Sequence, residues 1–226
     1  FSDGELDPAG LKASAALRSG LARLSAERVW MELKKLLAGR RVDAALQAMS
    51  ETGVLEQILP EASLGVVQAL VRLEQAEGLE PEALLRFAAL IWSHPSGREL
   101  FHRFKMSNDE MQRLGSVLSP VARLNPDMSA SERRRALYVA GRTAFADQVR
   151  IAWALAPAAG DAWRSMWTMA SEWVRPRLPV TGDDLIAAGA PPGPALGRRL
   201  KALEAAWIAS DFQLSREALL AQAGLA

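Results

Sequence analysis

Helix-capping signals punctuate this chain from end to end, and almost nothing in it reads as a strand. Ser107 and Glu110 stand three residues apart, as do Ser129 and Glu132. At that spacing a hydroxyl caps a helix start while the carboxylate reaches back to the capping residue's own N–H. Each such box contributes on the order of 1 kcal/mol. Asp7 before Pro8, Ser25, Asp161, Thr181 and Ser215 mark further starts. β-branched residues are sparse, and no period-2 alternation persists beyond a few positions. The expected fold class is therefore all-α.

The caps and breakers divide the chain. Helices are expected over 8–19, from Ser25 until Gly39, over 43–51, 62–77, 81–92 and 98–104. The second carries Val29, Trp30, Leu33, Leu36 and Leu37 as its apolar stripe. Val54 to Leu59 reads as a short apolar turn. One helix follows Ser107, and another runs from Ser129 to about Ala140, where Gly141 either kinks it or parts it from a continuation to Ala156. The next, capped by Asp161, is closed by Pro176 and Pro179. A short helix follows Thr181, then a glycine–proline loop over 189–194, a helix over 195–209 and a last one after Ser215. The composition shifts near Pro176–Val180, which sets a boundary there. No repeat of fixed period emerges, so a regular solenoid is not expected.

Bulk properties exclude several classes. The chain has 226 residues, half of them apolar, and no cysteine, so disulfides and thiolate metal sites are ruled out, in keeping with a reducing cytoplasm. The longest uncharged stretch, Leu185 to Gly197, is broken by Pro191, Pro192 and Pro194 and falls far short of the roughly 20 apolar residues of a membrane span. No signal-peptide pattern opens the chain, which begins at Phe1. Charge is uneven: residues 1–97 carry 10 basic and 13 acidic side chains, residues 98–150 carry 10 and 6, and residues 151–226 carry 7 of each. A basic middle suits a phosphate-facing surface and equally suits solvated helices.

Catalytic templates do not assemble. His94 and His102 are the two histidines, without zinc-site spacing. No GxSxG, P-loop or dinucleotide fingerprint is present. Asp183-Asp184 is a tight acidic pair; behind Thr181 it reads as a helix cap with dipole complement rather than as a two-metal site. Trp163 and Trp167 lie one helical turn apart and read as core, while Trp173, beside Arg175 and Arg177, is a candidate for exposure and base stacking. Two basic groups are candidate phosphate contacts. Arg133, Arg134 and Arg135 fan around one helical turn. Arg198, Arg199 and Lys201 follow the stiff loop holding Gly193, whose backbone amides could join their side chains in a phosphate cradle.

Two segments resemble a known family. Leu24-Ser25-Ala26-Glu27-Arg28-Val29-Trp30-Met31-Glu32-Leu33 is similar to the LS-x-ER-I-x-x-EL neck motif of bacterial CCA-adding tRNA nucleotidyltransferases and poly(A) polymerases. The likeness continues through Glu51-Thr52-Gly53-Val54-Leu55 and Leu59-Pro60-Glu61. Val180-Thr181-Gly182-Asp183-Asp184-Leu185-Ile186 and Pro192-Gly193-Pro194-Ala195-Leu196-Gly197 look like the family's tail signature, with Phe104 to Asn108 and Arg113-Leu114 between.

The resemblance implies an irregular helical neck (1–60), body (61–178) and tail (179–226) that grip tRNA or another RNA 3′ end. It implies RNA rather than DNA or a membrane as partner, and a cytoplasmic setting. By order of motifs the chain begins after the family's catalytic head, so it is expected to lack catalytic, cofactor-binding and metal-binding residues and to be inactive alone. Magnesium and ATP or CTP would belong to that head, the N-terminal catalytic domain it would pack with. Leu90 to Pro95 has no His-Asp pair, so no phosphohydrolase activity is expected. In this reading Glu27 and Arg28 stabilise the neck, Arg28 by pairing with Glu32 one turn later. The other reading the residues leave open is a helical scaffold that binds protein and no RNA.

Overall fold

The computed structural model describes residues 7–93, 97–119 and 123–224, and among these it contains α- and 3-10 helices and no strand. The caps act where the sequence places them, with the exception of Asp161. Asp7 accepts from the N–H groups of Ala9 and Gly10 and starts α1 (Pro8–Leu17). Ser25 accepts from the Arg28 N–H at 3.3 Å and starts α2 (Ala26–Leu37). Between them the chain tightens into a 3-10 segment, Arg18–Arg23, where one continuous helix to residue 19 was expected.

Next come α3 (Val42–Glu51) and α4 (Val54–Ile58). The expected apolar turn at Val54–Leu59 is thus helical: Gly53 turns the chain at φ 70° and lets a second helix start at once. Then follow α5 (Leu64–Glu77), α6 (Ala83–Leu90), α7 (Gly97–Arg103) and α8 (Asn108–Leu118). Both predicted capping boxes form, at Ser107/Glu110 and at Ser129/Glu132, the second opening α9 (Ala130–Ala140). Gly141 separates rather than kinks: at φ 79° and ψ 161° it leaves α9 and starts α10 (Arg142–Leu155).

The helix after it, α11 (Gly160–Glu172), begins one residue before Asp161, which therefore sits in its first turn and pairs with Arg164 at 2.8 Å instead of capping. Then come α12 (Gly182–Ala187), α13 (Pro194–Ala209) and α14 (Arg216–Gln222). His94 lies outside the described residues; His102 is on the exposed side of α7.

Two apolar cores organise these helices. The larger takes Trp30, Leu33 and Leu37 of α2 together with side chains from α3 to α11, so residues of the expected neck and body share one interior. At its centre α10 buries Phe145, Val149, Ile151 and Trp153. Trp163 is buried with its indole N–H on the Ala156 carbonyl at 2.9 Å, and Trp167 packs half-buried on the same core. The smaller core is made by the tail, Val180, Leu185, Leu203, Trp207 and Leu219, with Tyr138 of α9 inserted into it. Trp173 is not an open stacking platform. It is half-buried between the two cores, with its ring 6.3 Å from that of Phe212.

A buried ionic network ties the larger core together. Both oxygens of Glu74 are used, Oε2 by Arg86 at 2.6 Å and Oε1 by Arg150 at 2.6 Å. Arg86 also donates to the carbonyls of Leu37 and Gly39, at 2.6 and 2.7 Å. These are orphan acceptors at the end of α2, so a buried guanidinium closes that helix. Nearby, Arg113 spans Asp147 and Glu82. Burial pushes the Glu74 and Asp147 carboxyls up, against the pull of Arg86 and Arg113.

The neck motif is joined to α8 by Glu110. Its carboxylate completes the Ser107 box while accepting from Trp30 Nε1 at 3.3 Å and Lys34 Nζ at 2.8 Å. Glu27 pairs with Lys105 at 2.6 Å. The expected Arg28–Glu32 pair does not form, because Glu32 is taken by Lys35 at 2.8 Å.

Candidate nucleic-acid interface

The tail is where a cationic face stands clear of the core. Thr181 opens α12 through a capping box of its own, its hydroxyl accepting from the Asp184 N–H while Asp184 Oδ2 accepts from Thr181 N at 2.8 Å. The other Asp184 oxygen accepts from Arg216 at 2.7 Å and so joins α12 to α14. The Asp183-Asp184 pair is thus a helix start and a tail tie. Among the described residues no group of three or more His, Cys, Asp or Glu is placed to share a metal ion.

The Arg216 contact, with the two from Thr181, holds the Asp184 carboxyl down at about 2. A depressed carboxylate stabilises the fold above its ordinary range and loses that contribution as pH falls toward its folded value. We expect the Asp184 carboxyl carbon, followed by NMR, to titrate near pH 2. Arg216→Ala should move the midpoint up toward 3.8, and an unmoved midpoint would exclude the tie.

After α12 the chain turns through Gly189 and Gly193, both at positive φ, into Pro194 at the first position of α13. On α13 Leu196, Leu200, Leu203 and Trp207 recur at helical spacing and face the tail core. Arg198 and Lys201 fall on the opposite side and Arg199 at the flank of the apolar stripe, all exposed, and no carboxylate or carbonyl among the described residues engages their side chains. They lie within the first turns, near the helix's positive end.

The arginine run of α9 has a different placement. Arg133 donates to the carbonyls of Met128 and Pro126, at 2.8 and 2.9 Å, pinning the loop before its helix. Arg134 grips Asp211 with two donors, and Arg135 donates to the Ala209 carbonyl at 2.7 Å. These two clamp the C-terminal end of α13, where Asp211 and Phe212 take left-handed backbone at φ 57° and 66°. Left-handed conformations cost non-glycine residues about 1–2 kcal/mol each. The packing of Phe212 at 5.0 Å from Trp207 and 5.2 Å from Tyr138 offsets that cost. The two basic groups therefore meet on one helix, one fixing its far end and the other exposed at its near end.

Arg175 was not singled out as a contact, and its role is structural: it lies 3.9 Å over the Tyr138 ring and donates to the Tyr138 carbonyl, tacking the chain between α11 and α12 onto α9. Nothing in its immediate sequence signals this, since Tyr138 is 37 residues away.

An all-helical protein with a core-packed neck and a cation-bearing tail is a class with known members. The family model described as "tRNA nucleotidyltransferase domain 2 putative" matches residues 82–223, and one described as "Probable RNA and SrmB- binding site of polymerase A" matches residues 5–64. The chain belongs to the tRNA nucleotidyltransferase family. It is 27% identical to the mitochondrial CCA tRNA nucleotidyltransferase 1 of Danio rerio over 96% of its length and 50% of that protein's. It is 28% identical to the CCA-adding enzyme of Limosilactobacillus fermentum, over 96% of this chain and 53% of the relative. The crystal structure of the Bacillus stearothermophilus CCA-adding enzyme in complex with CTP superposes with a TM-score of 0.71 at 25% identity, covering 97% of this chain and 56% of that one. The chain thus spans about half the length of the curated relatives it matches. The resemblance read from the neck and tail motifs is borne out.

Proposed function

We propose that this chain is the RNA-holding region of a template-independent nucleotidyltransferase that extends RNA 3′ ends, with tRNA as its RNA. The observation that carries the reading is the face of α13: three exposed cations without protein partners, on a helix whose other end is clamped. Unpaired guanidinium and ammonium groups on a rigid element suit phosphate contacts, and RNA duplexes are gripped by backbone and shape rather than by base edges. Family membership favours this over the protein-scaffold reading. Arg134 and Arg135 support the site indirectly by holding the C-terminal end of α13, while Arg133 pins the loop before α9.

In this proposal magnesium and ATP or CTP act in a catalytic head elsewhere in the longer protein, and the setting is cytoplasmic. The helices described here supply no donor set for the metal, since Asp184 is committed to Arg216 and Thr181. Among the described residues no helix is long and apolar enough to cross a membrane.

Labelled tRNA titrated with the chain tests the holding role. Its affinity should fall linearly with salt on a log–log plot, by about 0.7–0.9 per phosphate neutralised; absence of binding at low salt would refute it. Given magnesium, labelled ATP and CTP and a tRNA lacking its 3′ end, the chain alone should transfer no nucleotide. Incorporation would place an active site within these residues.

A further inference from the structure

Glu204 is the one carboxylate in α13, a helix whose other charged side chains are Arg198, Arg199 and Lys201. It stands three residues from Lys201, a spacing at which helix side chains are neighbours. At about 3.6 residues per turn, Glu204 falls between Leu200 of the apolar stripe and Lys201. The pair nevertheless does not form. Glu204 Oε1 accepts instead from the Tyr138 hydroxyl at 2.7 Å, across the joint between α9 and α13. The Tyr138 ring is held from several sides. Arg175 lies 3.9 Å over it, and Trp207 and Phe212 pack at 5.9 and 5.2 Å. Burial, and then the Glu204 carboxylate, raises the Tyr138 hydroxyl above its ordinary range, so it keeps its proton and donates.

We propose that Tyr138 is a positioning residue for RNA holding: its hydroxyl keeps the carboxylate of α13 away from Lys201 and so leaves that ammonium open to phosphate. The inference rests on the reading of α13 as the RNA-holding face. The other cations at the joint are occupied. Arg134 grips Asp211, Arg135 donates to the Ala209 carbonyl and Arg175 to the Tyr138 carbonyl. Lys201 is exposed and has no partner among the described residues, so a Glu204 released from Tyr138 turns to it. A carboxylate there both pairs with the ammonium and repels an approaching phosphate. Tyr138 thus acts on RNA without touching it. Nothing in its immediate sequence marks the role, because Glu204 is 66 residues away.

The test is the affinity of the chain for labelled tRNA, read by anisotropy. Tyr138→Phe keeps the ring and removes only the hydroxyl, and thermal melts followed by circular dichroism establish that the variant is folded. At about 0.1 M salt its affinity should fall about threefold or more, up to the roughly five- to eightfold of one full phosphate contact. Adding Glu204→Gln should restore the native affinity, because an amide neither neutralises Lys201 nor repels phosphate. In the native protein the same Glu204→Gln should change affinity much less. That unequal response is a coupling that a merely structural Tyr138 would not produce. Lys201→Gln should weaken binding by itself, and Tyr138→Phe should then add little. Native affinity in Tyr138→Phe, or a loss that Glu204→Gln does not restore, overturns the proposal. The two readings fail differently. If Lys201→Gln leaves affinity unchanged, Lys201 is no phosphate contact, and the α13 reading loses it together with this inference. If Lys201→Gln weakens binding while Tyr138→Phe does not, this inference alone falls.

Discussion

Arg86→Ala is expected to lower the unfolding free energy by about 3–5 kcal/mol, the usual cost of stripping one partner from a buried ion pair. Arg86 and Glu74 are each 2% exposed at the side chain. Removing the guanidinium leaves Glu74 with Arg150 alone and leaves the Leu37 and Gly39 carbonyls at the end of α2 without their donor. For a chain of this length, 1 kcal/mol corresponds to about 2–4 °C in Tm, so melting should come at least about 6 °C earlier. Urea titration checks the magnitude. Amide exchange across residues 37–42 should accelerate beyond the global change, because Arg86 is what closes α2. A loss below about 1 kcal/mol would mean that the network is dispensable. Glu74→Leu, Arg86→Met and Arg150→Met together should cost less than Arg86→Ala alone, since no charge is then left buried without a counterpart.

The sequence announces the helix starts because capping is local. Ser107 with Glu110 and Ser129 with Glu132 need only four consecutive residues, and Thr181 needs only Asp184. What the sequence conceals are partners far along the chain. Arg134 reads as a candidate phosphate contact until Asp211, 77 residues on, is placed beside it. Trp173 reads as exposed because its neighbours in sequence are charged, whereas in space it has apolar neighbours from both cores.

Arg28 and Glu32 have the right spacing for a pair, but Lys35 is one residue closer to Glu32 and takes it. One signal was there to be used. Arg86 stands within Leu84-Leu85-Arg86-Phe87-Ala88-Ala89-Leu90, where no face of the helix is polar. An arginine in such a stretch must be buried, and a buried arginine must have a carboxylate or carbonyls to meet. The tail face was legible for the opposite reason: Arg198 and Lys201 oppose Leu196, Leu200, Leu203 and Trp207, and Arg199 flanks them, on an ordinary amphipathic helix.

The second large effect concerns that face. Reversing all three charges, Arg198→Glu with Arg199→Glu and Lys201→Glu, should weaken tRNA binding about a hundredfold at 0.1 M salt. Three lost phosphate contacts, each contributing roughly 0.7–0.9 to the log–log salt slope, give that figure before any added repulsion. Stability should change little, because the three side chains are exposed and unpartnered. Arg134→Ala should do the reverse. It frees Asp211 and loosens the end of α13, lowering the melting temperature, while the salt slope stays near the wild-type value. This contrast separates a cation that touches RNA from one that positions the helix.

The most direct measurement is therefore the slope of log affinity against log salt for wild type and the triple reversal, taken side by side on one labelled tRNA. RNA holding by α13 predicts a slope shallower by about 2 to 3 in the variant. An identical slope and affinity in the two proteins would contradict it.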